Sequence, residues 1–479
     1  MRNSIQQIMS DSFEKIMDYY DTEGIGAIYV MAKALMIISY EMVRKIIRVF
    51  IEEADRALCE EAKKERKADG LTIKERGVER TIHTFLGDLT FKRTHFKDKN
   101  GGYVYILDHI LGIDAYERVD AGVSAEMVNV SAAHSYSDSA LIVTSGQISR
   151  QTAWKKMQEV GEVAYVPERS KDTPEVLHIF ADEDHVNLQD GKDTQVPLVT
   201  YCAGKKYVSK DRNALIDPVH IQGYGLTPEK HWSYVYSLMA EQYDMKKVRR
   251  IFIYGDGANW IKTGFDFFPD AVHVLDEYHL EKRLKSFLSG EICGVFAKRV
   301  RDAVALGNAA DFQALFYKME DAVIKGMEPG KGMAKKLKAL RSDGAFLLAH
   351  WQAILNGRHP LAIGSCTEAL VSHVLSKRLS RDPLGWSVSG LAKLSMVRVF
   401  CLNGGVVMPW DIGADKTNER KVINNIKVYE DIVTKQHDEV FKGWRDWTWF
   451  DKDDTNLISR KTTGTKVAVY DLLKMRDVS

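Results

Sequence analysis

Apolar and polar positions along the chain change period several times. Residues 1–70 repeat apolar side chains every three or four positions, most clearly in RKIIRVFIEEADRALCEEAKKERKADG. That spacing predicts helices stopping at Gly70. From 78 to 115 the pattern alternates, and Asn100-Gly101-Gly102 supplies a turn signal, so a β-hairpin is expected. Residues 121–165 return to short helical spacings: VSAEMVNVSAAHSYSDSALIVTSG is followed by QISRQTAWKKMQEVGE, with Ser149 placed as an N-cap. Three strands follow, in EVLHIFADEDHV (175–186), TQVPLVTYCAG (194–204) and ALIDPVHIQGYG (214–225). HWSYVYSLMAEQYD (231–244) has helical periodicity, VRRIFIYGDGANWI (248–261) is an apolar strand stopping at an acid and a glycine, and DAVHVLDEYHLEKRLKSFL (270–288) is a strand feeding a helix. The order β-β-β-α-β-α-β predicts an α/β layer with helices around a mixed sheet. Residues 283–362 are nearly all helix-like, broken at KGMEPGKGMAKKLK. GSCTEALVSHVLSKRLS (364–380) adds a late helix that Ser365 or Thr367 would cap.

Composition narrows the class. With 479 residues, 45% hydrophobic and 28% charged, this is an ordinary globular chain long enough for roughly two to four domains. The net charge is +1, so any nucleic-acid binding must come from local basic patches. Five cysteines, at 59, 202, 293, 366 and 401, lie far apart and form no zinc or disulfide spacing. The opening MRNSIQQIMSDSFEK is unlike a signal peptide. GAIYVMAKALMIISYEMV contains Lys33 and Glu41, too charged and short for a membrane span, and is expected to be a buried helix. A cytoplasmic protein without membrane partners is the simplest expectation.

Basic patches come next. Residues 63–99 hold eleven Lys/Arg against six acids, a net of +5, which suits either a solvated face or a phosphate-contacting surface. Arg150, Gln151, Thr152, Trp154, Lys155 and Lys156 follow the Ser149 cap on the opening turns of a helix, the way a helix-turn-helix presents itself to a major groove. Between 370 and 400, Lys377, Arg378, Arg381, Lys393 and Arg398 face Asp382 alone, with His373 and Trp386 interleaved. Such cations beside a metal site suit a polyphosphate substrate.

Three acids share one kind of placement. Asp182 ends the first strand, Asp256 ends the fourth, and Glu368 lies in the first turn of the late helix. Strand ends of an α/β sheet open into a shared crevice. Carboxylates converging there repel unless a hard cation such as magnesium lies between them. Two such ions serve phosphodiester chemistry. In ADEDHV, Asp182 and Asp184 share a face and Glu183 points away, so either aspartate suits the site, with Asp182 the better placed. DEYH places Asp276 and His279 on one face of a helix start. They read as partners to DNA or to the metal-site carboxylates, or as a cap with a core histidine.

ADEDHV, YGDGANWI, LDEYHL and GSCTEALVSHVLSKRLSRDPLGWS, in this order, resemble the ISLre-type bacterial insertion-sequence transposases, similar in plan to the Mutator-like DDE transposases. The resemblance runs from about 75 to 400. It implies an RNase H-like catalytic domain with an all-helical insertion, and a DDE triad on Asp182, Asp256 and Glu368 as catalytic metal ligands for magnesium or manganese. It also implies an accessory motif on Asp276 and His279; by the alternation of ADEDHV, Asp184 either assists or is simply solvated. The domains expected are an N-terminal helical region (1–75), a β-hairpin module (76–120) and a helix-turn-helix-like DNA-binding module (121–168). The RNase H-like core follows in two parts (172–284 and 363–405) around the insertion (285–362), before a C-terminal tail region (406–479). DNA contacts are expected from Arg150, Gln151, Thr152, Lys155, Lys156, Lys377, Arg378 and Arg381. The activity implied is cleavage of transposon ends and joining of 3′-hydroxyls to target DNA. A homodimer or larger assembly on DNA and association with the nucleoid are expected with it. The alternatives are an RNase H-like structure-specific nuclease and an inactive transposase-derived DNA-binding protein.

Overall fold

The computed structural model describes residues 1–210, 212–381, 385–413, 429 and 432. The expected C-terminal tail region (406–479) lies mostly outside the described residues. The chain divides into two compact units, residues 1–120 with 418–479, and residues 121–417.

The first unit opens with helices α1 (Arg2–Glu23) and α2 (Ile28–Glu60), then α3 (Lys63–Ala68). The first two run antiparallel: the Met1 amino group reaches Glu53 at 3.4 Å and Lys15 reaches Glu41 at 2.7 Å. Strands β1 (Thr72–Thr84), β2 (Gly87–Lys97) and β3 (Tyr103–Val104) form an antiparallel sheet, followed by α4 (Ile106–Ile110). Leu58 of α2 packs against Phe91 and Phe96 of β2 in this unit's core. The expected turn at Asn100–Gly102 joins β2 to the short β3, where the Asp98 carboxylate accepts from the N–H groups of Asn100 and Gly102. The long hairpin turns instead at Phe85–Leu86, between Thr84 and Gly87. There the Thr84 hydroxyl, which donates to Gly87 and accepts from Leu86, does the work expected of a turn dipeptide.

The apolar run starting at Gly26 is not buried as expected. From Met9 of α1 to Tyr40 of α2 the helical pair exposes apolar side chains, among them Phe13, Ile28, Tyr29 and Ile37. Among the described residues no helix is long and apolar enough to cross a membrane.

The second unit begins with three short helices, α5 (Ala121–Ser131), α6 (Tyr136–Thr144) and α7 (Arg150–Gln158). Ser149 caps α7 by accepting from the Thr152 N–H. Strands β4 (Val176–Asn187) and β5 (Asp193–Cys202) then pair antiparallel. The expected strand over 214–225 is broken at Asp217-Pro218, where Asp217 takes a φ of 48°. It becomes β7 (Arg212–Ile216), hairpinned to β6 (Gly204–Ser209), and β8 (Val219–Gln222). After α8 (Pro228–Gln242) come β9 (Arg250–Gly255), the short α9 (Asn259–Lys262) and α10 (Gly264–Phe267), and β10 (Val272–Leu275). The five-stranded sheet has the order β10-β9-β4-β5-β8. β4, β9 and β10 run parallel, and β5 and β8 alternate antiparallel. The architecture is mixed α/β, as the alternation of strands and helices predicts.

Period-two alternation sorts the sheet's side chains onto two faces. Leu177, Ile179 and Ala181 of β4 join Trp232, Val235 and Met239 of α8 on one face. Phe180, Tyr254 and Val274 form the other, packed by Cys366 and Leu370.

Helix α11 (Glu277–Phe287) leads into α12 (Glu291–Gly294), α13 (Ala297–Leu306), α14 (Ala309–Gly326), α15 (Lys331–Ala349) and α16 (Trp351–Asn356). These have a core of their own around Phe287, Phe312, Met319, Leu340 and Leu347. The late helix is α17 (Thr367–Val371), a π-helical turn at Ser372–Ser376, and α18 (Lys377–Leu379). Helix α19 (Val388–Leu402) follows.

Candidate functional site

The site starts from a register. β4 and β9 pair in parallel from Val176↔Arg250 to Phe180↔Tyr254, and β9 and β10 pair to Gly255↔Leu275. Carried onward, the same register sets Asp182 beside Asp256 and Asp256 beside Asp276. All three lie one pleat beyond the apolar row Phe180–Tyr254–Val274. Neighbouring strands stand about 4.8 Å apart, so the row concentrates three carboxylates at the carboxyl end of the parallel strands.

Glycines make this approach possible. A Cβ at Gly255 would meet the Ala181 carbonyl of β4 at 2.9 Å. Gly257 has a φ of +81°, and a Cβ there would run into His350 at 2.4 Å. Asp256 between them folds back to accept from the Ala258 N–H at 2.8 Å.

Each aspartate has a different environment. Burial pushes Asp182 up to about 7, with the nearby Glu183 and Asp256 carboxylates adding to the effect. The Glu183 N–H and the charge of His279 only partly oppose it. Burial also pushes Asp276 up, but hydrogen bonds from His279, Ser365 and Thr367 outweigh it and hold that carboxyl at about 2. Asp276 caps α11 by accepting from the His279 N–H at 3.0 Å, and its side chain meets His279 Nδ1 at 3.0 Å. Asp276 first, and then Asp182 and Asp256, raise the pKa of His279. The three aspartates therefore make His279 hold its ring proton more tightly than a free imidazole does.

Asp184 takes another path. It is buried and accepts from Ser376 at 2.9 Å and from Ser380 at 2.8 Å. It ties β4 to the late helix and does not offer a free carboxylate. Glu183 points to the opposite face, as alternation predicts, accepting from the indole N–H of Trp260 at 2.8 Å.

Glu368 is exposed on α17. It lines an open cleft of about 640 Å³ with Asp276, Ser365, Thr367, His373 and Arg381. Ser365 donates to Asp276 and shares a 2.6 Å contact with Thr367, so these hydroxyls brace the aspartate. The cap expected from them is only a 3.4 Å bond from the Thr367 N–H to Ser365. The structure thus brings together Asp182, Asp256, Asp276 and His279, with Glu368 in the cleft next to Asp276. Among the described residues, no three His, Cys, Asp or Glu side chains stand close enough to hold a metal ion.

A family model described as "Uncharacterised protein family (UPF0236)" matches residues 27–415. The chain belongs to that family. It is 33% identical over 377 residues to the UPF0236 protein TTE2489 of Caldanaerobacter subterraneus subsp. tengcongensis, covering 78% of each chain. Two further relatives from the same organism are also 33% identical. One carries four designations, TTE0610/TTE0881/TTE1053/TTE2432, and is matched over 77% of its length. The other carries eleven, from TTE0033 to TTE2212, and is also matched over 77% of its length. Both matches cover 78% of this chain.

The expected DNA contacts of this UPF0236 protein separate into two groups. Arg150, Gln151 and Lys155 are exposed on α7, and Lys377 and Arg381 are exposed around α18. Thr152 is half-buried, sharing its hydroxyl with Ser149 at 3.1 Å. Two expectations are corrected. Lys156 is 5% exposed and pairs with Glu159 at 3.1 Å, because it lies on the inner face of α7 with Ala153 and Met157. Arg378 is 6% exposed, stacked between Tyr136 and Trp386 and donating to the Ser131 carbonyl. Neither presents a cation to a phosphate. The 63–99 patch is also less basic outwardly than its count suggests. Arg66 donates to the Leu58 and Cys59 carbonyls, and Arg93 pairs with Asp108.

The sequence counts Arg398 among the cations suited to a polyphosphate, which its burial corrects, and it does not single out His350. Arg398 is buried and donates to the carbonyls of Ala132, His373 and Val374, the last two in the π turn. His350 backs the Asp256 loop through Gly257. Neither role carries a local signal, since each acts on a segment far away in the chain.

Proposed function

We propose that this protein is a DDE-type DNA transposase of an insertion sequence, cutting element ends and joining freed 3′-hydroxyls to target DNA. The observation that carries it is the row of Asp182 and Asp256 on neighbouring parallel strands, with the helix bearing Glu368 tied to the same strand through Asp184. Three antiparallel strands continued by two parallel ones, with a separately cored helical segment before the last acid, support an RNase H-like domain and its insertion.

The donor chemistry suits magnesium or manganese: Asp182 and Asp256 offer hard oxygens, and burial beside another carboxylate leaves Asp182 short of positive charge. Asp182 and Asp256 would hold the ions, with Glu368 as the third carboxylate. Such ions activate a water or a 3′-hydroxyl and stabilise in-line displacement at phosphorus. His279, whose hold on its proton Asp276 strengthens, would offset part of the negative charge as a phosphate enters. Arg150, Gln151, Lys155, Lys377 and Arg381 are the exposed groups suited to the DNA backbone and grooves.

A structure-specific nuclease would use the same acids. The relatives tip the choice: one UPF0236 protein name joining eleven designations in a single organism is the multiplicity a gene that copies itself leaves behind. In a cleavage and strand-transfer assay with magnesium, Asp256→Asn should retain DNA binding and lose both reactions. Magnesium-dependent cleavage by that variant would sink the assignment. A wild-type protein that cuts but never joins a pre-cut end would favour the nuclease.

Assembly belongs to the same proposal. Twelve large apolar side chains are exposed between Met9 and Tyr40. At roughly 100 Å² each they offer on the order of 1,000 Å², more than a typical monomer leaves open and about one partner's share of a stable interface. The occupant that fits is a second α1–α2 pair, closing a four-helix bundle about a two-fold axis.

A further inference from the structure

A hairpin beside the cleft has no role in the reading above. β6 and β7 form a small sheet of their own, paired from Gly204↔Ile216 to Ser209↔Arg212. Beyond Gly204 every side chain of β6 is exposed, with Tyr207 at 73%. Lys205, Lys206 and Lys210 accompany it, and among the described residues none of the three has a carboxylate partner. A tyrosine ring and two ammonium groups exposed on β6, with a third just past its end, contribute little to folding. They make sense as a surface for something anionic and flat.

The hairpin's position gives that surface an address. The Lys205 ammonium donates to the Ile363 carbonyl, in the loop that leads to α17. A cavity of about 290 Å³ lies between Lys205, Asn213 and Leu215 on one side and Gly364, Ser365 and His373 on the other. Ser365, Cys366, Ala369 and His373 line both this cavity and the Glu368 cleft. The hairpin is therefore one wall of a groove that passes Glu368. Phosphates approaching a row of carboxylates are repelled unless cations hold them from the side, and Lys205 stands at that side, with Tyr207 on the same face of β6 by alternation.

We propose that the β6–β7 hairpin is a nucleic-acid grip: Lys205 and Lys210 meet phosphates of the strand entering the Glu368 cleft, and Tyr207 stacks on an unpaired base of it. A ring can stack on a base face only where pairing has opened, so the ligand is a single-stranded or frayed DNA end. The inference rests on the DNA reading above and adds the strand state and the residues that recognise it.

The test is fluorescence anisotropy on the full chain with two probes, a blunt duplex and the same duplex carrying a short single-stranded 3′ end. The Lys205→Ala/Lys210→Ala variant should weaken binding of both. It should also flatten the slope of log affinity against log salt by roughly two, about 0.9 for each phosphate no longer neutralised. Tyr207→Ala should weaken the single-stranded-end probe roughly tenfold and leave the blunt duplex unchanged, and Tyr207→Trp should restore it. If wild type binds DNA and the variants bind both probes equally well, the grip is wrong while the transposase reading stands. Equal losses on both probes from Tyr207→Ala would overturn the stacking role. If wild type binds neither probe, both readings fall together.

Discussion

Two aspartates two residues apart do opposite work. Asp182 is buried with another carboxylate nearby, while Asp184 is buried with two hydroxyl donors. Removing Asp184 strips Ser376 and Ser380 of their acceptor and should cost about 2–4 kcal/mol. Asp184→Ala should therefore lower the thermal midpoint measured by calorimetry. Asp182→Asn should raise the midpoint in metal-free buffer above neutral pH, because it deletes a charge that its surroundings oppose. On the proposed chemistry, magnesium should raise the midpoint of wild type and leave that of the variant unchanged. A shared face was legible in the sequence, since alternation alone sets it. Which carboxylate is occupied was not, because Ser376 and Ser380 lie almost two hundred residues away. The same holds for Lys156 and Arg378, whose charges look available until the helices that cover them are in place.

At the level of elements, strand spans were readable wherever one face is buried. β4, β5, β9 and β10 all fall where apolar runs predict them. β6 was not, because Lys-Lys-Tyr-Val-Ser faces water on both sides and leaves no alternation to read. The late helix was expected as continuous, and its π turn has no sequence signature. Two of its carbonyls accept from Arg398, which also reaches Ala132 at the end of α5. Arg398→Met should leave those carbonyls unpaired in the interior, at a cost of about 3 kcal/mol. Because the π turn lies just beyond α17, the variant should also lose strand cleavage before it loses DNA binding. A variant as stable and as active as wild type would show that the π turn needs no clamp.

For the whole molecule, the sharpest departure from expectation is at the amino end. An apolar run that reads as a buried helix is left exposed by the described residues. Periodicity reports which side chains avoid water and is silent on which molecule shields them. If a second copy does so, light scattering should show a dimer without DNA, and Phe13→Glu with Ile37→Glu should give a folded monomer. A monomeric wild type would remove the bundle.

The order of the acids along the chain also orders their arrival. Asp182, Asp256, Asp276 and His279 are all synthesised before the helical segment that ends at Asn356, and Glu368 comes after it. A ribosome still extending that segment holds a nascent chain with a row of aspartates and no glutamate. On the proposed chemistry, an unfinished protein carries an incomplete blade, and the host's DNA is spared until translation has passed the last helix.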